Sequence, residues 1–336
     1  MIAAVAGGYQ IVATLASLRM LRRRAVSDAF TPGVSVLKPF RLRDGFPAEA
    51  IRTNEDQDYS GEFEVLCETR ASRQTPNRKV GVLIDLEQRS QYPVVLIADA
   101  DIRVPRDYLR RVVAALEDPR VGLVTCAYRA TAETLPGRFE ALGVATDFAP
   151  GTFVAPFVGI DEFALGATMC VRRGDLERIG GISSVAEYLA DDYQLGRKIH
   201  DLGLKCVLSD VIVETHLAAS SWSEVWKHQV RWARTIRISR GAYAGLPVTH
   251  ASTWALIAAL CGQWWIAAIL IVLRYGTAFT AGWFVLHSRD VLRLLWLIPA
   301  RDWFGSAVWA AGMFGNTVEW GGETLHLDNQ GRIRPN

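Results

Sequence analysis

The hydrophobic positions divide the chain into a mixed central region between two apolar ones. Met1–Leu18 has no charged side chain, and residues 253–314 are again apolar, poor in carboxylates and rich in Trp. Between them, residues 31–240 alternate short apolar runs with polar segments. Short apolar runs favour buried strands, and polar segments with periodic apolar positions favour amphipathic helices. The centre of the chain therefore predicts a soluble α/β domain.

The apolar runs of the central region predict the strands of one sheet. They are residues 33–39, 64–67, 94–98, 121–126 and 163–173. The polar segments predict helices at residues 47–54, 77–89, 106–116 and 175–181 and from residue 191 onward. This alternation predicts a doubly wound, mostly parallel sheet with right-handed crossovers, which is a Rossmann-like α/β fold.

Two carboxylates, one residue apart, follow the most apolar of these strands. Asp99 and Asp101 come directly after Val94–Ala98, a run typical of a strand buried on both faces. Ligands of open α/β sheets bind at the carboxyl ends of such strands, so the pair suits a divalent cation that carries a phosphate-rich ligand. A surface turn that closes the strand explains the same residues equally well, because Asp is common after strands.

A second pair of carboxylates, Asp191 and Asp192, begins a predicted helix that continues through Ile199. Helix capping and a favourable interaction with the helix dipole both account for acidic residues at this position. The functional interpretation is that one of the two carboxylates is a general base held over an acceptor hydroxyl. From the motif alone, both interpretations stay open.

A third cluster combines Trp, His and Arg within residues 222–240. A basic amphipathic helix that carries Trp, directly before an apolar region, is typical of a helix at a membrane interface. His228, Arg231 and Arg234 also fall on one helical face, where they can present cations to a leaving diphosphate. The two interpretations are compatible.

Both apolar ends predict contact with a membrane, with buried helices of a soluble protein as the alternative. Residues 1–18 are followed by four Arg within residues 19–24, the reverse of the charge order of a cleavable signal peptide, and so predict an N-terminal transmembrane anchor. Residues 254–273 are of spanning length, whereas residues 275–286 and 303–314 are short and predict a hairpin partner or re-entrant segments. The basic flanks predict a catalytic domain on the cytoplasmic face of the inner membrane.

These patterns predict a division of the chain into five parts. They are an anchor with its basic flank (1–24), a catalytic domain (31–221), an interface helix (222–250), membrane helices (251–316) and a polar tail (317–336) that folds back as a small hairpin or remains a tail.

Composition excludes several classes of protein. The 336 residues carry a formal net charge of +2 and are 50% hydrophobic, which argues against a disordered chain and against a nucleic-acid-binding protein. The five cysteines, at positions 67, 126, 170, 206 and 261, form no closely spaced set. They predict reduced thiols rather than a zinc site or a disulfide framework.

Six short motifs resemble, in their order, one family of enzymes. They are Val36-Leu37-Lys38-Pro39, Gln57-Asp58-Tyr59, Asp99-Ala100-Asp101, Phe163-Ala164-Leu165-Gly166-Ala167, Asp191-Asp192-Tyr193-Gln194-Leu195-Gly196 and His228-Gln229-Val230-Arg231-Trp232. The set resembles the inverting nucleotide-sugar glycosyltransferases of family 2, which have the GT-A fold. It resembles more closely the ceramide glucosyltransferase group, which includes bacterial hopanoid-biosynthesis-associated glycosyltransferases.

The resemblance implies a role for each matching residue. Asp101 would ligate Mg²⁺ or Mn²⁺ under the diphosphate of a UDP-sugar, with Asp99 beside it toward the metal, the ribose or the donor sugar. Asp192 would be the catalytic base, with Asp191 beside it in the substrate site. The other implied binding residues are Lys38 and Lys79 near the nucleotide or its phosphates, and His228, Gln229, Arg231 and Trp232 of the motif that closes on the diphosphate and the acceptor.

Two positions depart from the family pattern. His228 stands where the family has Gln or Arg, although a histidine can still donate a hydrogen bond to a phosphate oxygen. The family's first aspartate motif, which follows the second strand and binds the nucleobase, has no clear counterpart. Glu68 is the nearest carboxylate, and the segment from it to Asn77 is too short for the additional strand and helix expected there. Either the base pocket is rebuilt in this chain, or the pocket and the activity are lost.

Together these expectations describe an inverting glycosyltransferase. It would move a sugar from a UDP-sugar, with UDP-glucose and UDP-N-acetylglucosamine as first candidates, to a lipid hydroxyl such as that of ceramide or a hopanoid. A single displacement gives a β-glycoside and needs no nucleophile with an adjacent base, in agreement with the sequence. The alternatives are a family 2 enzyme that makes a polysaccharide and a catalytically silent membrane protein that binds sugar nucleotides.

Overall fold

A computed structural model describes residues 1–22, 29–40, 48–219, 221–239 and 241–334. Arg23 and Arg24 of the predicted basic flank, Pro47 of the first predicted helix in the central region, and Arg240 of the predicted interface helix lie outside the described residues.

Strands and helices alternate in the first half of the chain, and helices dominate the second half. The helices are α1 (Ile2–Met20), α2 (Ala48–Glu55), α3 (Arg78–Arg89), α4 (Tyr108–Ala114), α5 (Leu135–Gly143), α6 (Ala149–Phe157), α7 (Arg173–Arg178), α8 (Asp191–Asp201), α9 (Trp222–Ser239), α10 (Ala251–Leu260), α11 (Trp264–Ala278), α12 (Arg289–Arg293) and α13 (Ile298–Gly312). The strands are β1 (Val34–Pro39), β2 (Phe63–Glu68), β3 (Val94–Ile97), β4 (Val121–Thr131), β5 (Met169–Arg172), β6 (Lys205–His216), β7 (Thr317–Trp320), β8 (Glu323–Leu327) and β9 (Ile333–Arg334).

The chain folds into two compact units, each built from separate stretches of sequence. The helical unit comprises Met1–Arg23, Arg129–Val158 and His216–Gln330. The sheet unit comprises Arg24–Tyr128, Gly159–Thr215 and Gly331–Asn336. Residues 129–158, which the sequence places inside the predicted catalytic domain, belong to the helical unit because α6 packs against α1.

The predicted α/β fold with a mostly parallel sheet is confirmed. Within the described residues, a six-stranded sheet has the order β2-β1-β3-β5-β4-β6. β1 is parallel to both β2 and β3, with Val36 opposite Val65 on one side and Leu96 on the other. β5 is reversed and runs antiparallel to β3 and to β4. The sheet is therefore mixed, because β5 runs opposite to the strands on either side of it.

β3 is buried on both faces, as its apolar sequence predicts. Leu96 packs on one face in a cluster that includes Tyr108 and Val112 of α4. Val95 and Ile97 pack on the other face, against side chains of α3 and α8. The carboxyl end of this strand is thereby fixed inside the core of the sheet unit.

The strand predicted for residues 163–173 is shorter than expected, because a tight turn precedes it. Leu165 and Thr168 form an isolated antiparallel bridge. The Thr125 hydroxyl accepts from the Leu165 N–H at 2.9 Å and donates to the Thr168 carbonyl at 2.7 Å. β5 then begins at Met169. The turn carries Gly166 to the end of the sheet.

The apolar stretch at residues 254–273 does not form one spanning helix, in contrast to the prediction. α10 ends at Leu260 and α11 begins at Trp264, because Gly262 adopts a left-handed conformation with φ of 75°. α11 then runs beyond the predicted end and continues as a π-helical segment, Phe279–Val285. Among the described helices, Ile2–Met20 and Trp264–Val285 are long and apolar enough to cross a membrane by length and composition alone.

The polar tail forms a hairpin, one of the two conformations expected for it. β7 and β8 are antiparallel, with Val318 opposite Leu325. In the sheet unit, the final residues add a short pairing in which Ile333 N–H donates to the Glu187 carbonyl at 2.7 Å.

Candidate active site

Lys38 holds the loop that carries Asp99 and Asp101 after β3. The Lys38 side chain is fully buried, and its Nζ donates to the carbonyl oxygens of Asp99 at 3.0 Å and of Ile102 at 3.3 Å. Burial lowers the pKa of Lys38 to about 8, although Asp101 and Asp99 act to raise it. The structure therefore places Lys38 beneath the aspartate loop, where it fixes the backbone conformation of that loop.

Lys79, in the first turn of α3, connects the two pairs of carboxylates. Its Nζ lies 2.8 Å from Asp99 Oδ1 and 3.1 Å from Asp191 Oδ2. Burial by itself would lower the pKa of Lys79, but Asp191, Asp99 and Asp192 together raise it above its ordinary value, so the side chain is a cation. The structure thus brings together two motifs that lie far apart in the sequence.

Asn77 supports this connection and was not singled out from the sequence as a functional residue. It is the N-cap of α3, and its Oδ1 accepts from the Val80 N–H at 3.2 Å. Its Nδ2 donates to the Tyr188 carbonyl at 2.8 Å and lies 3.4 Å from Asp191 Oδ1. An Asn before a predicted helix indicates a cap, but nothing local reveals the contact with the chain before α8.

Asp192 is held by backbone donors on both of its carboxylate oxygens. Oδ1 accepts from the Tyr193 N–H at 2.7 Å, and Oδ2 accepts from the Gly166 N–H at 2.9 Å. Burial and the neighbouring Asp191 raise the pKa of Asp192 to about 6, against the lowering effect of Lys79. A fixed carboxylate with a pKa near the operating pH has the properties of a general base.

Gly166 allows the backbone to approach this cluster closely. A Cβ atom at position 166 would lie 3.0 Å from Asp99 Oδ2 and 3.5 Å from both Asp192 Oδ2 and Lys79 Nζ. Glycine therefore leaves room between the two aspartate motifs, a role that the sequence motif alone does not explain.

Thr215 is a further partner that was not identified from the sequence. Its hydroxyl, on β6, donates a hydrogen bond to Asp101 Oδ2. Burial raises the pKa of Asp101 and Asp99 raises it further, whereas the bond from Thr215 lowers it. Thr215 thus orients one oxygen of Asp101 and stabilises its ionised form.

Asp99 and Asp101 fit a divalent cation that arrives with its substrate. Among the described residues, no three His, Cys, Asp or Glu side chains converge on a self-contained metal site. One oxygen of Asp99 is engaged by Lys79 and one oxygen of Asp101 by Thr215. Mg²⁺ is typically held by one or two carboxylates together with substrate phosphates, and this donor set matches that arrangement.

The segment after β2 offers little for a nucleobase. β2 ends at Glu68 and α3 begins at Arg78, and the described residues between them contain no further strand or helix. Glu68 Oε1 accepts from the Thr69 N–H at 2.8 Å, and its Oε2 lies 3.2 Å from Arg89 Nη1. These bonds, first of all the one from Thr69, lower the pKa of Glu68. The nearest carboxylate is therefore engaged by its own loop and by α3.

The third motif lies on α9 in the helical unit and contacts α5. Glu140, which is 1% exposed, accepts from Gln229 Nε2 at 2.7 Å and lies 2.5 Å from His228 Nδ1. Arg301 Nη2 donates to Gln229 Oε1 at 2.8 Å. Two residues of the motif are thus fixed by a buried carboxylate that the sequence did not indicate.

The other two predicted residues of α9 are half-buried. The Trp232 ring lies beside the His228 ring, with centroids 4.7 Å apart, and beside Phe148 at 5.9 Å. The Arg231 carbonyl accepts from the Thr235 hydroxyl at 2.9 Å. His228, Gln229, Arg231 and Trp232 therefore share one helix, as their spacing predicts.

Comparisons with known proteins identify relatives along most of the chain. Residues 66–333 match the family model described as Glycosyl transferase family 21. Ceramide glucosyltransferase 1 of Caenorhabditis elegans is 23% identical over 229 residues, which cover 59% of this chain and 48% of that protein. Ceramide glucosyltransferase 3 of the same organism is 22% identical over an alignment of 368 residues that covers 97% of this chain and 79% of that protein. The chain thus matches about half the length of the first relative.

A solved structure supports the fold. The mannosyltransferase PcManGT from Pyrobaculum calidifontis, in complex with GDP-Man and Mn²⁺, has a TM-score of 0.51 to this chain at 18% identity. The likeness covers 93% of this chain and 98% of that one. It confirms the predicted GT-A-like glycosyltransferase fold. The relatives confirm the resemblance to ceramide glucosyltransferases, and the matching family model is numbered 21 rather than 2. Because the family model matches most of its length, this chain belongs to glycosyl transferase family 21.

Proposed function

We propose that this glycosyltransferase moves a sugar from a UDP-sugar, with UDP-glucose and UDP-N-acetylglucosamine as first candidates, to the hydroxyl of a membrane lipid. The transfer inverts the anomeric centre and gives a β-glycoside. One observation carries the proposal: Lys79 bridges Asp99 and Asp191 and lies beside Asp192. This bridge gathers cation-binding and proton-accepting groups at one edge of the sheet.

Asp192 is the proposed base. As the lipid oxygen bonds to the anomeric carbon, its proton passes to Asp192, and the bond from that carbon to the diphosphate breaks with its electron pair on the leaving group. The bonds from Gly166 and Tyr193 fix the carboxylate before the reaction, so little reorganisation is needed. A pKa of about 6 leaves Asp192 ionised at neutral pH and still basic enough to accept the proton.

Asp99 and Asp101 are the proposed carboxylates for the donor side. They would hold Mg²⁺ or Mn²⁺, which when bound supplies positive charge to the leaving diphosphate. Lys79 contributes a second cation and is oriented by Asp191. Lys38 is a positioning residue, since its contacts go to the backbone of the aspartate loop.

The lipid acceptor is supported by the ceramide glucosyltransferase relatives and by the two apolar helices. We propose that the protein is bound to the inner membrane with its catalytic residues on the cytoplasmic side, where soluble sugar nucleotides are available. His228, Gln229, Arg231 and Trp232 of α9 are proposed to bind the diphosphate and the acceptor. The basic character of this helix suits an anionic ligand or membrane surface.

The test is a transfer assay with purified protein, a panel of UDP-sugars, Mg²⁺ or Mn²⁺ and a total lipid extract, read by mass spectrometry and by release of nucleoside diphosphate. We expect one new glycolipid. Asp192→Asn should lower turnover by about 10²–10⁴-fold, the usual contribution of a general base. Chelation of the metal and Asp101→Asn should each suppress turnover as well.

Asp201→Asn, at the exposed end of the same helix, is the matched control and should leave turnover unchanged. A long polymer in place of a glycolipid would support the polysaccharide alternative. Binding of sugar nucleotides without any release of diphosphate, or full turnover by both Asp192→Asn and Asp101→Asn, would contradict the proposed mechanism.

A further inference from the structure

The hairpin of α10 and α11 is a prominent exposed apolar feature of the helical unit. Residues 251–273 contain no charged side chain. At the tip, Leu260 is 79% exposed, Trp264 71% and Trp265 66%. Large apolar side chains that are exposed together indicate a surface that is covered by another phase or partner.

The turn between the two helices satisfies its own backbone donors. The Gln263 N–H donates to the Ala258 carbonyl at 2.8 Å, and the Gly262 N–H donates to the Ala259 carbonyl at 2.9 Å. The Cys261 N–H donates to the Ile257 carbonyl at 3.0 Å. This pattern is a Schellman cap, and the positive φ of Gly262 makes it possible. Because hydrocarbon offers no hydrogen bonds to the backbone, a self-capped turn is compatible with immersion in lipid.

A buried ion pair marks the base of the hairpin. Arg274 follows directly after the apolar arm of α11, and its Nη2 lies 2.7 Å from Asp302 Oδ1 on α13. Asp302 Oδ2 also accepts from the N–H of Ser252, at the start of α10, at 3.0 Å. Arg274 Nη1 donates to the Thr146 carbonyl at 2.7 Å. Polar groups of the protein therefore hold both ends of the hairpin at one level.

The apolar arms are too short to cross a bilayer. Between the ion pair and the turn, the two arms comprise residues 253–260 and 264–273. Each arm is about 12–15 Å long at the helical rise of about 1.5 Å per residue. A hydrocarbon core is about 30 Å thick, so each arm reaches about halfway. From residue 274 onward, the segment Trp264–Val285 carries Arg274, Thr277 and Thr280, all buried inside the helical unit.

We propose that α10 and α11 form a re-entrant hairpin, which enters one leaflet of the bilayer and returns to the same face. The occupant of its exposed surface is the acyl-chain region of that leaflet. The inference rests on the membrane location proposed above and deepens it, because a hairpin that lies within one leaflet keeps the enzyme close to lipids of that leaflet. It replaces the spanning helix predicted at residues 254–273.

The test is the sidedness of cysteine labelling in right-side-out and inverted membrane vesicles. A membrane-impermeant maleimide is applied to Ala244→Cys before α10, Arg289→Cys after α11, and the native Cys261 at the tip, and each site is read by peptide mass spectrometry. The positions 244, 261 and 289 are all exposed in the structure. Asp201→Cys, exposed on the sheet unit, controls for access of the reagent.

We expect the Ala244→Cys and Arg289→Cys sites to be labelled in the same vesicle orientation. Cys261 should be labelled in neither orientation and become reactive only after denaturation in detergent. Labelling of the two ends from opposite sides would show a spanning α11 and overturn the proposal. Labelling of Cys261 from either side would also overturn it, since the hairpin would then span the bilayer or lie on its surface. Sidedness is read without turnover, so failure of the transfer assay would leave this result interpretable.

Discussion

At the residue scale, four carboxylates and two ammonium groups decide the properties of the candidate site. Asp99, Asp191 and Asp192 act on Lys79, and Asp99 and Asp101 act on Lys38. The carboxylates outnumber the cations of this group, so a divalent cation that accompanies a diphosphate would be attracted to the site. Burial raises the pKa of Asp192, and the like charge of Asp191 raises it further, because both disfavour the ionised form.

The raised pKa of Asp192 predicts an acid limb in the rate profile. The base must be ionised, so kcat/KM should fall about tenfold per pH unit below a pH of about 6 and level off above it. Lys79 lowers the pKa of Asp192, so Lys79→Met should move the limb to higher pH. Lys198→Met, on the same helix as Asp192, is the control and should leave the limb in place. A profile that is flat down to pH 4 would contradict the assignment of Asp192 as the base.

The contact made by Gly166 predicts a loss of activity without a large loss of stability. In Gly166→Ala, the new methyl group would press on Asp99 at 3.0 Å and displace it from Lys79. Misplacement of a binding group by a fraction of an ångström to one ångström lowers kcat/KM by about tenfold to a hundredfold. Gly174→Ala is the control, because its Cβ meets no atom within 4 Å. Equal activity of the two variants would show that this close approach is not needed.

At the element scale, the site depends on how closely α8 approaches the turn before β5. A Cβ atom at Gly196 would lie 2.6 Å from the Ala164 backbone nitrogen and 2.7 Å from the Phe163 carbonyl carbon. Only glycine allows this separation, which brings the Gly166 N–H within reach of Asp192. In the helical unit, the pair of Arg274 and Asp302 similarly connects α11 with α13.

The ion pair between α11 and α13 predicts a strong, non-additive effect on stability. Arg274→Met alone leaves the carboxylate of Asp302, which is 1% exposed, without its cation, and such changes typically cost about 3–5 kcal/mol. The double variant Arg274→Met, Asp302→Leu removes both charges and should recover most of that loss. Thermal unfolding in detergent measures the stability of the single and of the double variant, with the exposed Arg289→Met as the control. If the double variant were no more stable than Arg274→Met, charge compensation would not be the source of the effect.

At the scale of the whole molecule, the two units interleave along the chain. The chain leaves the sheet unit within β4, at residue 129, and returns to it at Gly159. Hydrophobic patterns indicate that a residue is buried but not against which partner, so the sequence assigned these residues to the catalytic domain. It predicted no helix there, whereas the structure has α5 and α6 in this stretch. Likewise, an uncharged stretch at residues 254–273 indicates lipid or core, whereas the turn at Gly262 depends on packing and capping.

The sequence by itself determined the α/β class, the position of most elements, the carboxylate pairs after β3 and at the start of α8, and the family, because apolar periodicity and short motifs are local properties of the chain. The tertiary structure alone decided how these residues meet. Lys79 joins the two carboxylate pairs, and Lys38 lies under the aspartate loop. Asn77, Gly166 and Thr215 support the cluster, and α10 and α11 form a hairpin closed by an ion pair. These contacts link residues distant in sequence, and their energies depend on burial and on the approach of other elements, which no local pattern encodes.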